Sequence, residues 1–210
     1  MPESGTTPVS RRIVGDFAIE PDGSFRVTLP ANTPLQLQTV DETGLALATC
    51  GWIWVKPREP RGCIGCHEDP ELTPENRLVS ALQKPAVDLT LPAEQRRSVD
   101  YRRDIQPVLE RRCVRCHDGG SGALDLRDGR FAAQREYVHA GEARTSPLIW
   151  RLYGRNTSRP WDADCQVPLR PGVCPPATAD PLTADEKAAL VEWIDLGAVV
   201  NIVRAGQEHP

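Results

Sequence analysis

The sequence predicts an α+β fold in which a small N-terminal β-sheet, part of a sandwich, is followed by a mostly α, loop-rich region. Three observations carry this. Residues 11–56 alternate apolar and polar side chains at period two between turn signals, whereas after residue 100 apolar positions recur at helical spacing behind recognisable caps. Twenty prolines and 16 glycines among 210 residues then require long irregular connections between few regular elements.

Residues 1–10, rich in Pro, Ser, Thr and Gly, read as a flexible lead-in. Phe17 to Glu20 runs into the turn signal Pro21-Asp22-Gly23-Ser24, and Phe25 to Leu29 alternates after it, which predicts a hairpin. A second hairpin is expected from Leu35–Val40 through Asp41-Glu42-Thr43-Gly44 to Leu45–Ala48, and Trp52–Val55 forms a further short strand. Strands this few make a marginal fold alone, so the β segment 11–56 is expected to pack on the following region or on a partner.

Residues 57–99 carry Cys63-Ile64-Gly65-Cys66-His67, and residues 100–200 carry Cys113-Val114-Arg115-Cys116-His117. Both are C-x-x-C-H, the pattern of covalent c-type haem attachment. Two thiols three positions apart on one helical turn can each add to a haem vinyl group, and the next residue's imidazole then reaches the iron. Zinc is the competing use of paired C-x-x-C motifs, but the interval from Cys66 to Cys113 far exceeds knuckle spacing and each pair is followed at once by His. A thioredoxin-like redox pair needs a βαβ context that the pattern lacks. Two motifs imply two haems, with Cys63, Cys66, His67, Cys113, Cys116 and His117 as their attachment and proximal-ligand residues.

Around these motifs the helical signals fall in order. Thr73 caps a short helix with Pro74 at its first position, and an extended Pro85–Pro92 stretch follows. Asp104 can cap a helix whose stripe of Ile105, Val108 and Leu109 runs into the second motif. Residues 131–153 hold one or two helices interrupted by Gly141 and Pro147. Thr183-Ala184-Asp185-Glu186 is a capping box opening a helix with Leu190, Val191, Trp193 and Ile194 on one face and a stop near Gly197. A helix before C-x-x-C-H and a C-terminal helix with an inward aromatic is the layout of a small class I cytochrome c-like domain; residues 201–210 form a tail.

A net charge of −4 excludes a basic face large enough to neutralise nucleic acid. No apolar run approaches a membrane span, and the N-terminus has no signal-peptide core. Thioether attachment nonetheless takes place outside the cytoplasm in c-type cytochromes, so a periplasmic or extracellular location is expected, with the export signal outside this sequence. Of seven cysteines the motifs take four, leaving Cys50, Cys165 and Cys174. A Cys165–Cys174 bridge would remove about 2.5–3 kcal/mol of unfolded-state entropy, although spacing does not fix pairing. Cys50 is expected to be buried, in the sheet or beside the first haem.

Residues 54–68 (WVKPREPRGCIGCHE), 101–109 (YRRDIQPVL) and 137–141 (YVHAG) with Ser146-Pro147-Leu148 resemble the haem-bearing part of the hydrazine synthase alpha-subunit family, and the β-rich lead-in is similar too. The likeness covers about residues 15–200, without the propeller that precedes these modules in the synthase. It implies a dihaem unit whose second haem is bis-histidine and whose first is unusual. In the synthase the first haem is catalytic and a tyrosine four positions after the motif histidine binds its iron; here that position is Glu71.

The histidine inventory is His67, His117, His139 and His209, and the sole methionine is Met1, which leaves bis-His as the six-coordinate option. Resemblance and exhaustion of alternatives assign His139 as distal ligand of the second haem; a hydrogen-bonded imidazole or a ligand of the first haem are its other readings. His209 sits one residue from the C-terminus and is expected to be disordered. The first haem then has one histidine and an open or unusual sixth position, with Glu68, Glu71, Tyr101 and Cys50 as candidate neighbours by chemical type. The leading functional expectation is electron transfer between redox partner proteins. The alternative is chemistry on small nitrogen species such as nitric oxide or hydroxylamine at the first haem. A third expectation is docking through the β segment into a homo-oligomer or larger multihaem complex.

Overall fold

A computed structural model describes residues 11–64, 78–120, 124–169 and 181–200. These form two compact units. One takes residues 11–12, 39–47 and the described part of 98–200; the other takes 13–38 and the described part of 48–97. The architecture is mixed α and β with few regular elements, as the proline and glycine content requires.

In the second of these units the turn at Pro21 forms, with the Ser24 carbonyl accepting the Glu20 amide at 2.9 Å and Gly23 at φ 79°. The expected hairpin across it does not. Strand β1 (Val27–Thr28) instead pairs in parallel with β4 (Val87–Asp88), Val27 opposite Val87. The reason lies in side chains of the turn. The Asp22 carboxylate accepts the Ser80 amide at 2.8 Å and Ser24 Oγ accepts the Ala81 amide at 3.1 Å, which ties residues 80–81 to the turn and leads Val87–Asp88 alongside β1. The strand pairs among the described residues are therefore two separate two-stranded ladders, a correction to the single small sheet of the sequence reading. Trp52–Val55 contributes one antiparallel bridge, Leu35 to Ile53. The Thr73 helix lies outside the described residues.

The second hairpin is as expected. Strands β2 (Gln38–Val40) and β3 (Ala46–Thr49) are joined through Asp41–Gly44, where the Asp41 carboxylate accepts the Thr43 and Leu45 amides and Gly44 takes φ 81°. Its tip, 39–47, folds with the helical unit. Leu45 is buried in that unit's core, Arg159 donates to Asp41 at 2.9 Å, and Arg144 Nη1 donates to the Ala46 carbonyl at 3.1 Å.

The helical unit begins with a wide turn, Tyr101–Ile105, that runs into α1 (Gln106–Arg112). The cap is Asp100, four residues ahead of the expected Asp104. Asp100 accepts the Arg103 amide at 2.9 Å, and Asp104 returns the bond by accepting the Asp100 amide at 2.8 Å. The helix starts early because Tyr101 and Ile105, four apart on one face, are both buried. Pro147 opens α2 (Pro147–Tyr153) at its first position and Gly154, φ 65°, closes it. The capping box at Thr183 and Glu186 is present and opens α3 (Ala184–Asp195). From α3, Trp193 packs on Tyr101 and Phe131 with ring centroids 5.5 and 6.0 Å away, and Ile105, Leu109, Ile149, Leu190 and Ile194 complete the core.

Gly129 has φ 75°, and a Cβ there would stand 2.8 Å from Val200 Cγ1 and 3.1 Å from the Tyr101 ring. Gly129→Ala is expected to cost about 2 kcal/mol, read by chemical denaturation, from the positive φ and the overlap together. An unchanged midpoint would mean that this turn relaxes without loss.

Candidate functional site

The second C-x-x-C-H motif follows directly on α1 as a further turn, with Cys113 closing the helix. The Cys113 amide donates to the Leu109 carbonyl at 2.8 Å, and the Cys116 and His117 amides both donate to the Cys113 carbonyl at 3.0 Å. Cys113, Cys116 and His117 therefore stand at i, i+3 and i+4, the neighbouring positions of a helical surface. Cys113 is half-buried against the core and Cys116 is exposed.

The chain then turns at Gly119, φ 77°, and comes back beside the motif. The Leu126 amide donates to the His117 carbonyl at 3.0 Å, and His117 Nδ1 lies 3.2 Å from the Leu124 carbonyl. A carbonyl oxygen can only accept, so Nδ1 carries the hydrogen and the lone pair is on Nε2. That is the tautomer of a metal-binding imidazole whose other nitrogen is held by the backbone.

His139 is built the same way by a different route. Its Nδ1 lies 3.0 Å from Thr145 Oγ1, and that hydroxyl donates to the Glu142 carbonyl at 3.2 Å, so the imidazole is the donor and its lone pair again falls on Nε2. Asp164 Oδ2, at 3.8 Å from Nδ1, adds negative charge on the same side. The His139 amide donates to Ser146 Oγ at 2.8 Å, and the fully buried Ser146 hydroxyl donates to the Glu142 carbonyl at 3.0 Å. These bonds close residues 139–146 on themselves. The loop is anchored on one side by Arg144, whose guanidinium binds both oxygens of Asp162 at 2.7 and 2.8 Å. On the other side α3 receives it. The Gly141 amide donates to the Ile194 carbonyl and the Ala143 amide to Asp195 Oδ1, both at 2.7 Å.

Electrostatics tie α1 to the start of α3. Burial opposes the charge on Glu186, but the Thr183 amide and the guanidinium groups of Arg112 and Arg111 hold its carboxyl below the usual range. Tyr101 lies in the core of this unit. Burial, reinforced by Asp128 and Glu110, pushes its phenol up to about 12, so it stays protonated, and its hydroxyl has no hydrogen-bond partner among the described residues.

Of the first motif only Cys63 and Ile64 are described, both exposed; Cys66, His67, Glu68 and Glu71 lie outside the described residues, as do Cys174 and His209. Cys50 sits at the base of the β2–β3 hairpin, half-buried, with its amide on the Leu37 carbonyl at 2.9 Å and its sulfur accepting the Leu37 amide at 3.1 Å. Cys165 Sγ lies 3.5 Å from the Pro160 carbonyl. Among the described residues no three His, Cys, Asp or Glu side chains gather as a cluster able to hold a bare metal ion, and no helix is long and apolar enough to cross a membrane. The donor set of residues 113–117, two thiols and an imidazole with its Nδ1 engaged, fits a covalently attached haem.

Leu124, Thr145 and Asp195 escaped the sequence reading. Asp195 carried a faint signal, an acid directly following the apolar face of α3. Nothing in the sequence says that a carbonyl at 124 or a hydroxyl at 145 meets an imidazole.

Residues 3–68, the β lead-in through the first motif, match the family described as the hydrazine synthase alpha subunit middle domain. The chain is 27% identical over a 276-residue alignment to the hydrazine synthase subunit alpha of Kuenenia stuttgartiensis, covering 93% of this chain and 33% of that protein. The solved structure of Kuenenia stuttgartiensis hydrazine synthase aligns with a TM-score of 0.61 at 24% identity, over 80% of this chain and 30% of that one. The fold is thus hydrazine synthase-like, and the chain spans about a third of the length of that curated relative.

Proposed function

We propose that this chain is a dihaem c-type cytochrome that transfers single electrons, with one haem on Cys63, Cys66 and His67 and a second on Cys113, Cys116 and His117. His117 and His139 would hold the second iron. The observation that carries this reading is the matched pair of imidazoles, each with Nδ1 tied to an oxygen and its lone pair on Nε2. Haem held by two histidines supplies a one-electron couple of low potential. The chain's own residues do the rest. The Leu124 carbonyl fixes the His117 tautomer, Thr145 fixes that of His139 while Ser146 holds its backbone amide, and Leu109, Ile149 and Trp193 belong to the dry core against which Cys113 packs.

A second reading is favoured by the match of residues 3–68 to the hydrazine synthase alpha subunit middle domain. In it the first motif, with one histidine and the carboxylates Glu68 and Glu71 nearby in sequence, acts on small nitrogen species, the carboxylates moving protons. In either reading the protein is periplasmic or extracellular. It works against redox partner proteins and sits in a larger assembly, as the relative's name, a subunit alpha, suggests.

The test is a pyridine haemochrome assay for two haems per chain, followed by electron paramagnetic resonance of the oxidised protein. Two low-spin irons support transfer. One high-spin iron that binds nitric oxide supports chemistry at the first motif. Absence of covalent haem ends both readings.

A further inference from the structure

We propose that Asp195, at the C-terminal end of α3, is the positioning residue that holds His139 in its ligating orientation. The inference rests on the reading of His139 as an axial ligand and adds a control element to it.

The path is short and lies within one compact unit. Asp195 Oδ1 accepts the Ala143 amide at 2.7 Å, beside the Gly141 amide on the Ile194 carbonyl at the same distance. Ala143 is fully buried and opens the single tight turn Ala143–Thr145, whose preceding residue, Glu142, makes no side-chain cap of its own. A helical turn without a local cap leaves its first amides unpaired. Asp195 supplies the missing acceptor from another helix. Two residues on, Thr145 holds His139 Nδ1, and the next residue, Ser146, holds the His139 amide. Moving Ala143 therefore moves both groups that set the imidazole.

A carboxylate is a costly choice here. Burial pushes the Asp195 carboxyl up to about 6, against the pull of the Ala143 amide, Arg144 and Arg11 and with the push of Glu142. An apolar residue in its place, following Trp193 and Ile194, would avoid that cost but offer Ala143 nothing. The Arg11 guanidinium donates to the Asp195 backbone carbonyl at 3.4 Å and also attracts the carboxylate electrostatically, so it meets this end of α3 through both groups.

The test uses the haem-loaded protein with Asp195→Ala, Asp195→Asn and Asp195→Glu, read by electron paramagnetic resonance and by carbon monoxide binding to the reduced form. Asp195→Asn keeps an oxygen acceptor and is expected to stay low-spin. Asp195→Ala is expected to weaken His139 ligation about tenfold or more, seen as a high-spin signal and carbon monoxide binding at the second haem. Asp195→Glu, which misplaces the carboxylate by one methylene, falls between them, and its contrast with Asn decides the matter if the alanine variant does not fold. Unchanged low-spin spectra in folded Ala and Glu variants overturn the proposal. His139→Ala separates the two levels: if it too remains low-spin, the ligand assignment has failed, whereas if it becomes high-spin while Asp195→Ala does not, only the positioning role has failed.

Discussion

Under the dihaem proposal, replacing Cys113 and Cys116 together by alanine is expected to lower covalent haem from two per chain to one and to destabilise the helical unit. The two cysteines stand at i and i+3 of the turn that follows α1, and Cys113 packs against the core. A haem attached by thioether bonds stays on the unfolded chain as well, so its stabilisation would come from the apolar packing and iron ligation made only in the fold. The measurement is pyridine haemochrome content against protein mass, with thermal unfolding alongside. A chain that still carries two covalent haems would falsify the assignment of this motif.

The second large effect is expected at Arg144. Its guanidinium binds Asp162 through two bonds of 2.7 and 2.8 Å, and a third bond goes to the Ala46 carbonyl. The two side chains are mostly buried, at 18% and 9% exposed. Arg144→Ala leaves a mostly buried carboxylate without its bidentate partner, with only the Arg159 amide and charge remaining, and breaking such a pair from one side costs about 3–5 kcal/mol. The loss should be visible in urea unfolding, and Asp162→Asn in the Arg144→Ala background should recover part of it by removing the stranded charge. A cost below about 1 kcal/mol would put the pair in the class of solvent-screened surface bridges.

The same neighbourhood sets two opposite pH slopes. Hydrogen bonding to Arg144 holds the Asp162 carboxyl below its ordinary 3.8, against the effect of burial. The folded state therefore binds this proton less readily than the unfolded chain, and the stabilisation is present above about pH 4 and lost as pH falls through the lower folded value. Asp195 behaves in reverse. Its folded pKa, raised by burial from 3.8 to about 6, lies above the unfolded value, so the folded state holds the extra proton. Stability from this group is complete below pH 3.8 and declines as pH rises to about 6. Asp195→Asn is expected to remove that decline, leaving a protein more stable than its parent above pH 6 in urea titrations.

What the sequence reveals and what it hides divide along one line, the separation between the residues that interact. The second C-x-x-C-H turn, the Asp41–Gly44 turn and the Thr183 capping box are each written within five consecutive residues, and each is legible. The partner of β1 is not, because Val27 pairs with Val87, and the pairing follows from Asp22 and Ser24 reaching residues 80 and 81. Asp104 shows the same limit at short range. It has the chemistry of a cap, but the burial of Tyr101 moves the helix start to Asp100. The support around His139 is a mixed case, since Ser146 is seven residues away and local, whereas Asp195 is 52 residues beyond Ala143.

The hairpin tip has a consequence for how the chain is made. Ribosomes release residues 39–47 long before the groups that receive them: Arg144 follows Ala46 by 98 positions, Tyr153 follows Thr43 by 110 and Arg159 follows Asp41 by 118. Contacts of such separation require large loops to close before any reward, and they slow folding. Through most of synthesis Leu45 has no core to enter, and neither does the second motif, which emerges before α2 and α3. The nascent chain thus carries Leu45 and the thiols of Cys113 and Cys116 in the open at the same time. Under the dihaem proposal, expression hosts that delay haem attachment should therefore lose this protein to aggregation rather than to proteolysis of a folded apo form.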